Sequence, residues 1–229
     1  MSTTSASQST LRKTVIGRLL AGILVVGAIF FLPAGTARYW EAWLYLAVLF
    51  VPMSIFAVYL LRTNPALLER RMKTREAEAQ QRWIITLMSV LFLIIFVLPG
   101  FDKRFGWSSV PAWLVIAANG MVLVGYLLVV FVLLKNEYAA RTIAVEAQQQ
   151  VITSGPYALV RHPMYTAMTL IILFSALALG SYWALIPAAL FPLLLVARIL
   201  NEEAVLHREL ADYDDYCQTV HYRLLPGVW

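Results

Sequence analysis

Apolar residues fill four long stretches of the chain, at about residues 14–32, 42–61, 83–99 and 112–134. A helix needs roughly 20 apolar residues to cross a bilayer, so each stretch reads as a membrane span, the third at the lower limit. A further apolar region runs from Met164 to about Leu200. It is too long for one crossing, and Gly180-Ser181 lies near its middle. The pattern therefore predicts two short helices, about 164–179 and 182–200, folded back at a tight turn. Pro187 and Pro192 fall within the second and are expected to bend it, which membrane helices tolerate when neighbours satisfy the freed carbonyls. The expected fold class is all-α, a polytopic membrane helix bundle of about six spans whose last two form a hairpin. Three regions follow: a disordered polar leader at 1–13, four spans within 14–134, and a core over 135–229 that holds the hairpin and a C-terminal segment.

Composition agrees with the pattern. Of 229 residues, 61% are hydrophobic and 14% charged, whereas a soluble domain lies nearer about half apolar and about a quarter charged. The lone cysteine, Cys217, excludes an internal disulfide framework and a multi-cysteine metal site. His207 and His221 lack metal-ligand spacing, so no metal is expected. Arg12, Lys13 and Arg18 precede or open the first span as in a signal peptide. Its apolar run is longer than a signal sequence needs, and no small-x-small site stands near Pro33, so an uncleaved helix is expected.

The net charge of +5 is informative through its placement. Arg12, Lys13, Arg18, Arg62, Arg70, Arg71, Lys73, Arg75, Arg82, Lys135, Arg141, Arg161, Arg198, Arg208 and Arg223 all fall on one side of the six-span topology. Only Arg38, Lys103 and Arg104 fall on the other. This bias predicts both chain ends, and the polar clusters described next, in the cytoplasm. It also makes the basic residues topology signals and contacts to membrane lipids, with no nucleic acid partner. The run Glu69 to Glu76 reads as a lipid-facing amphipathic segment. Tyr39, Trp40, Trp43, Trp107, Trp113, Tyr182 and Trp183 read as an interfacial aromatic belt.

Two polar clusters flank the hairpin. On the first, Arg161 and His162 precede Pro163, which suits the first turn of a helix, where its missing N–H costs nothing. The free N–H groups of that turn, with Arg161 and His162 beside them, make an anion site. Tyr157 and Tyr165 add aromatic faces and hydroxyls. On the second, Arg198 and Glu202 are four residues apart and share a helical face, while Glu203 points about 100° further round. A carboxylate there can accept two hydrogen bonds from a ribose diol, and a guanidinium can clamp a substrate carboxylate. Each residue has a plain alternative: Arg161 as a topology anchor, Arg198–Glu202 as a helix-end ion pair, and His162 as a helix cap.

Together the residues form an ordered set: Ser154-Gly155-Pro156-Tyr157, Arg161-His162-Pro163, Tyr165, then Arg198 and Glu202-Glu203, then Asp212-Tyr213-Asp214-Asp215-Tyr216 through Tyr222-Arg223-Leu224-Leu225-Pro226-Gly227. This arrangement resembles the isoprenylcysteine carboxyl methyltransferase family over roughly Asn136 to Trp229; the first three spans carry no comparable signature. The resemblance implies an integral membrane enzyme that transfers methyl from S-adenosylmethionine. It implies cofactor binding at Gln149, Gln150, Val151, Ile152, Tyr157, His162, Pro163, Met164, Tyr165 and Glu202, and substrate contact at Arg198. Eukaryotic members have histidine where Gln149 stands; glutamine still donates and accepts.

On this expectation Arg161 and His162 hold the methionyl carboxylate, Glu202 holds the ribose with Glu203 beside it, and Gln149–Ile152 with Tyr157 surround the adenine. Arg198 steers an anionic headgroup toward the methyl. A lipid-like substrate, such as an isoprenylated cysteine carboxylate, enters from the bilayer, and the C-terminal segment covers the cofactor. The alternatives are a phospholipid (ethanolamine) N-methyltransferase or small-thiol methyltransferase, a sterol reductase using a nicotinamide cofactor, and a non-enzymatic membrane scaffold.

Overall fold

The structure is a computed structural model that describes residues 2–72, 79–136 and 150–229. Eight α-helices occur among them, with no strand: α1 (Ser2–Ala34), α2 (Trp40–Thr63), α3 (Pro65–Met72), α4 (Ala79–Phe105), α5 (Ala112–Lys135), α6 (Pro163–Ala178), α7 (Leu185–Glu209) and α8 (Tyr213–Thr219). Five of them, α1, α2, α4, α5 and α7, contain stretches long and apolar enough to cross a membrane, and α6 is a shorter apolar helix. The chain is thus a polytopic helical bundle.

Two boundaries differ most from expectation. Helix α1 begins at Ser2, inside the leader expected to be disordered. Helix α7 runs through Glu209, nine residues past Leu200. Hydrophobicity marks where a helix leaves lipid, whereas Asn201 to Glu209 includes Glu, Ala, Leu and Arg, good helix formers that extend α7 beyond the apolar run. Pro192 lies inside α7 without ending it.

Helix α6 packs along α5, and α7 packs against both α4 and α6. The α5–α6 approach is close because Gly125 offers no side chain: a Cβ there would stand 2.7 Å from Ile171 Cγ1. Small residues at such crossings let membrane helices gain dispersion contact. Phe30, Tyr45, Ile95, Val122, Phe191 and Leu195 fill the core between the spans. Apolar side chains such as Leu24, Leu32 and Leu193 remain exposed, as a lipid-facing surface requires.

At one end of the bundle, the α6–α7 turn is latched to the other loops. Gly180 takes φ 75, a left-handed conformation that favours glycine. Asp102, 1% exposed, accepts hydrogen bonds from Ser108 N at 2.8 Å and from the hydroxyls of Ser108 and Ser181. Lys103 pairs with Glu41 at 3.0 Å. Tyr39, expected in the aromatic belt, is instead fully buried and donates to Leu179 O at 2.6 Å. Trp40, Trp43, Trp107, Trp113, Tyr182 and Trp183 are exposed.

Candidate functional site

The opposite end collects the two polar clusters. Pro163 opens α6, with His162 as the residue before the first turn. Preceding it, Gly155–Ala158 forms a 3-10 turn in which Gly155 has φ 63. The tail lies against this segment: Arg161 N donates to Tyr222 O at 2.8 Å and His162 N to Arg223 O at 2.9 Å. Thr166 Oγ1 adds a bond to Leu224 O at 2.7 Å.

The centre of the cluster is Glu203. It is 3% exposed, and its Oε1 faces Nε2 of His162 at 3.1 Å and Nη1 of Arg161 at 3.3 Å. Its Oε2 accepts from Nε of Arg223 at 2.7 Å. The anion that Arg161 and His162 meet is therefore this side chain, which helix geometry placed off the Arg198–Glu202 face. A buried carboxylate persists when paired and hydrogen-bonded on both oxygens.

A second chain of bonds runs beside the first. Arg198 Nε donates to the Tyr165 hydroxyl at 2.8 Å, and that hydroxyl donates to Glu202 Oε2. The Arg198 guanidinium also lies 5.9 Å from the Tyr165 ring centroid. Arg198 and Glu202 are thus joined through Tyr165, an arrangement that fixes all three side chains at the end of α6 and along α7.

The remaining expected residues scatter around these chains. The Tyr157 hydroxyl accepts from Asn136 Nδ2 at 2.8 Å, and its carbonyl accepts from the Tyr216 hydroxyl at 2.7 Å. Val151 packs on the cluster of Leu210, Tyr213, Tyr216 and Val220. Ile152 is half-buried and Gln150 exposed. Met164 packs away from the polar groups, against Leu60, Leu67 and Leu133. Gln149 lies outside the described residues, as do Lys73 to Glu76 and Arg141.

Spacing did not reveal Arg223, Cys217 or Tyr213 as members of the site. Arg161 Nη1 donates to Cys217 Sγ at 2.9 Å. Tyr213, 4% exposed, has its phenol pKa raised by burial first and by the nearby Glu203 carboxylate second, so it keeps its proton. The one sequence signal for these residues was their place in the tail motif.

Residues 113–212 match the family model for phospholipid methyltransferases. The matched segment runs from α5 through the α6–α7 hairpin to the start of the tail, and it includes Arg161, His162, Tyr165, Arg198, Glu202 and Glu203. It supports an integral membrane methyltransferase acting on lipid-like substrates. No curated protein matches the chain.

Proposed function

We propose that the protein transfers the methyl group of S-adenosylmethionine to a lipid-like acceptor, in the first instance the carboxylate of an isoprenylated cysteine. The observation that carries this reading is the pair of bonded chains, Arg198–Tyr165–Glu202 and His162–Glu203–Arg223, at the end of an apolar hairpin inside the matched segment.

The residues present fit such a cofactor. Arg161 Nε, Asn201 Nδ2 and the Tyr213 hydroxyl are buried without a hydrogen-bond partner among the described residues. All three can donate, and a buried donor left unpaired is costly. A ligand bearing a carboxylate, ribose oxygens and ring nitrogens supplies the missing acceptors. When bound, S-adenosylmethionine provides a sulfonium methyl already activated for in-line displacement.

The protein's own task is then alignment, which contributes roughly 7–11 kcal/mol when reacting groups are held in register. Glu202, fixed by Tyr165, takes the ribose. Tyr157 and Gln150–Ile152 border the adenine. Arg198 orients the anionic end of the acceptor. Helix α6 has 16 residues, about 24 Å at ~1.5 Å per residue, short of the ~30 Å hydrocarbon core. With its Gly180 end at one interface, its polar end in this reading stops just beneath the opposite headgroups, within reach of a lipid headgroup. The charge bias assigns that end to the cytoplasm.

The family match favours a second reading, an ethanolamine phospholipid as acceptor. Arg198 then contacts phosphate, and the ammonium must lose a proton before attack. The deciding experiment is transfer of labelled methyl from S-adenosylmethionine to prenylcysteine, phosphatidylethanolamine and small-thiol acceptors in detergent. Label in prenylcysteine supports the first reading and label in phosphatidylethanolamine the second. Absence of S-adenosylhomocysteine binding by the purified protein overturns both and leaves a scaffold.

A further inference from the structure

We propose that the Tyr213 hydroxyl and the Arg161 Nε–H together form a seat for the carboxylate at the amino-acid end of the methyl donor. The inference rests on the methyltransferase reading and adds Tyr213 to the site.

Tyr213 opens α8, directly after Asp212, whose φ of 63 turns the chain sharply between α7 and α8. The Tyr213 ring is held edge-on to His207 at 5.0 Å and lies 5.9 Å from Tyr216. Packing of this kind fixes the ring and leaves the hydroxyl as its one polar group. That hydroxyl has no hydrogen-bond partner among the described residues, although the side chain is nearly fully buried.

Arg161 presents the same pattern from the other wall. Its Nη1 is engaged by Glu203 and Cys217, and its Nη2 donates to His221 O at 3.4 Å. Its Nε is buried with no partner. Cys217, one helical turn after Tyr213 on α8, accepts from Arg161 Nη1 at 2.9 Å, which brings the Tyr213 face of α8 against Arg161. Two donors on different elements, both near Glu203, call for an acceptor carrying several lone-pair sites, and a carboxylate is such a group.

On the α6 and α7 side of the seat the charge favours an anion, whereas Asp212, Asp214 and Asp215 flank Tyr213 on α8. Arg161, Arg198 and Arg223 supply three guanidinium groups against the two carboxylates of Glu202 and Glu203. Glu203 occupies His162 and part of Arg161, which shifts the expected carboxylate position from the His162 side to the Nε side of Arg161. Asn201 Nδ2, the third unpartnered donor, lies on the Arg198 face at 100° per residue and is outside this seat.

The test compares S-adenosylhomocysteine with S-adenosyl-3-thiopropylamine, the same molecule without its carboxylate, by calorimetry on the full chain in detergent. Wild type should prefer the carboxylate ligand by about tenfold to a hundredfold, as charge-assisted bonds in a buried site imply. Tyr213→Phe keeps the ring and its packing, and should erase most of that preference by weakening S-adenosylhomocysteine alone. An undiminished preference overturns the seat and leaves the phenol to water. Equal weakening of both ligands overturns it in favour of a packing role. Unchanged binding of both with a raised KM for the lipid acceptor overturns it by assigning the phenol to an anionic headgroup. Failure of wild type to bind either ligand removes the methyltransferase reading itself.

Discussion

Arg223 donates through Nε to Oε2 of Glu203 across 2.7 Å, so a residue of the C-terminal tail closes the ring of partners around a carboxylate of α7. The other oxygen of Glu203 already faces Arg161 and His162. One side chain thus joins three parts of the chain: the entry to α6, the end of α7 and the tail. The tail is thus part of this cluster, and under the proposed function cofactor binding and tail docking are expected to reinforce one another.

Glu203→Ala should be the most damaging change at this end of the bundle. It leaves Arg161 and Arg223 without the buried carboxylate they share, a loss worth about 3–5 kcal/mol when one partner of a buried pair is removed. Arg223→Ala should cost less, because its side chain is 28% exposed and water replaces part of the interaction. Thermal unfolding in detergent should rank Glu203→Ala well below Arg223→Ala. Equal stabilities would show that Glu203 is not the hub.

Tyr165→Phe removes the hydroxyl that links Arg198 to Glu202. S-adenosylhomocysteine affinity should fall about tenfold or more, the scale of a hydrogen bond to a charged group. Arg198→Ala should leave that affinity within about threefold and lower methyl transfer at least about a hundredfold, since the proposed function gives it the acceptor to hold. Parallel losses of binding and turnover in Arg198→Ala would refute this division of labour.

Asp102→Ala tests the latch at the far end. Its carboxylate accepts from Ser108 and Ser181, and its loss strands a buried Ser181 hydroxyl beside the α6–α7 turn. A destabilisation of about 2–4 kcal/mol is expected from the broken buried network, read as a lower unfolding temperature. The affinity of the folded fraction for S-adenosylhomocysteine should stay at the wild-type value, since the latch sits at the other end of the bundle.

Gly100 and Gly120 form a matched pair. A Cβ at Gly100 would stand 2.8 Å from Phe30 O and from Pro33 Cβ, so Gly100→Ala should push α4 off α1 and cost about 1–3 kcal/mol. A Cβ at Gly120 meets nothing within 4 Å, and Gly120→Ala should be neutral or stabilising by up to about 1 kcal/mol. Thermal unfolding of the two variants side by side checks the helix–helix approach directly.

Hydropathy by itself marked five long apolar helices and the shorter α6, with the hairpin and its Gly180 turn, because the cost of exposing polar backbone to lipid depends on composition along a single helix. Local spacing likewise pointed to His162, Tyr165, Arg198 and Glu202, which the structure gathers at one end of the bundle. The end of α7 was not legible, since helicity past Leu200 follows propensity and packing while hydrophobicity follows the membrane. Tertiary structure alone decided that Glu203 takes Arg161 and His162, that Tyr165 joins Arg198 to Glu202, that Tyr39 is core, and that Arg223 and Tyr213 come to the site from the tail. Periodicity states which residues share a face of one helix. Which faces meet depends on how close-packed elements distant in sequence come together, and a single chain's pattern does not encode those pairings locally.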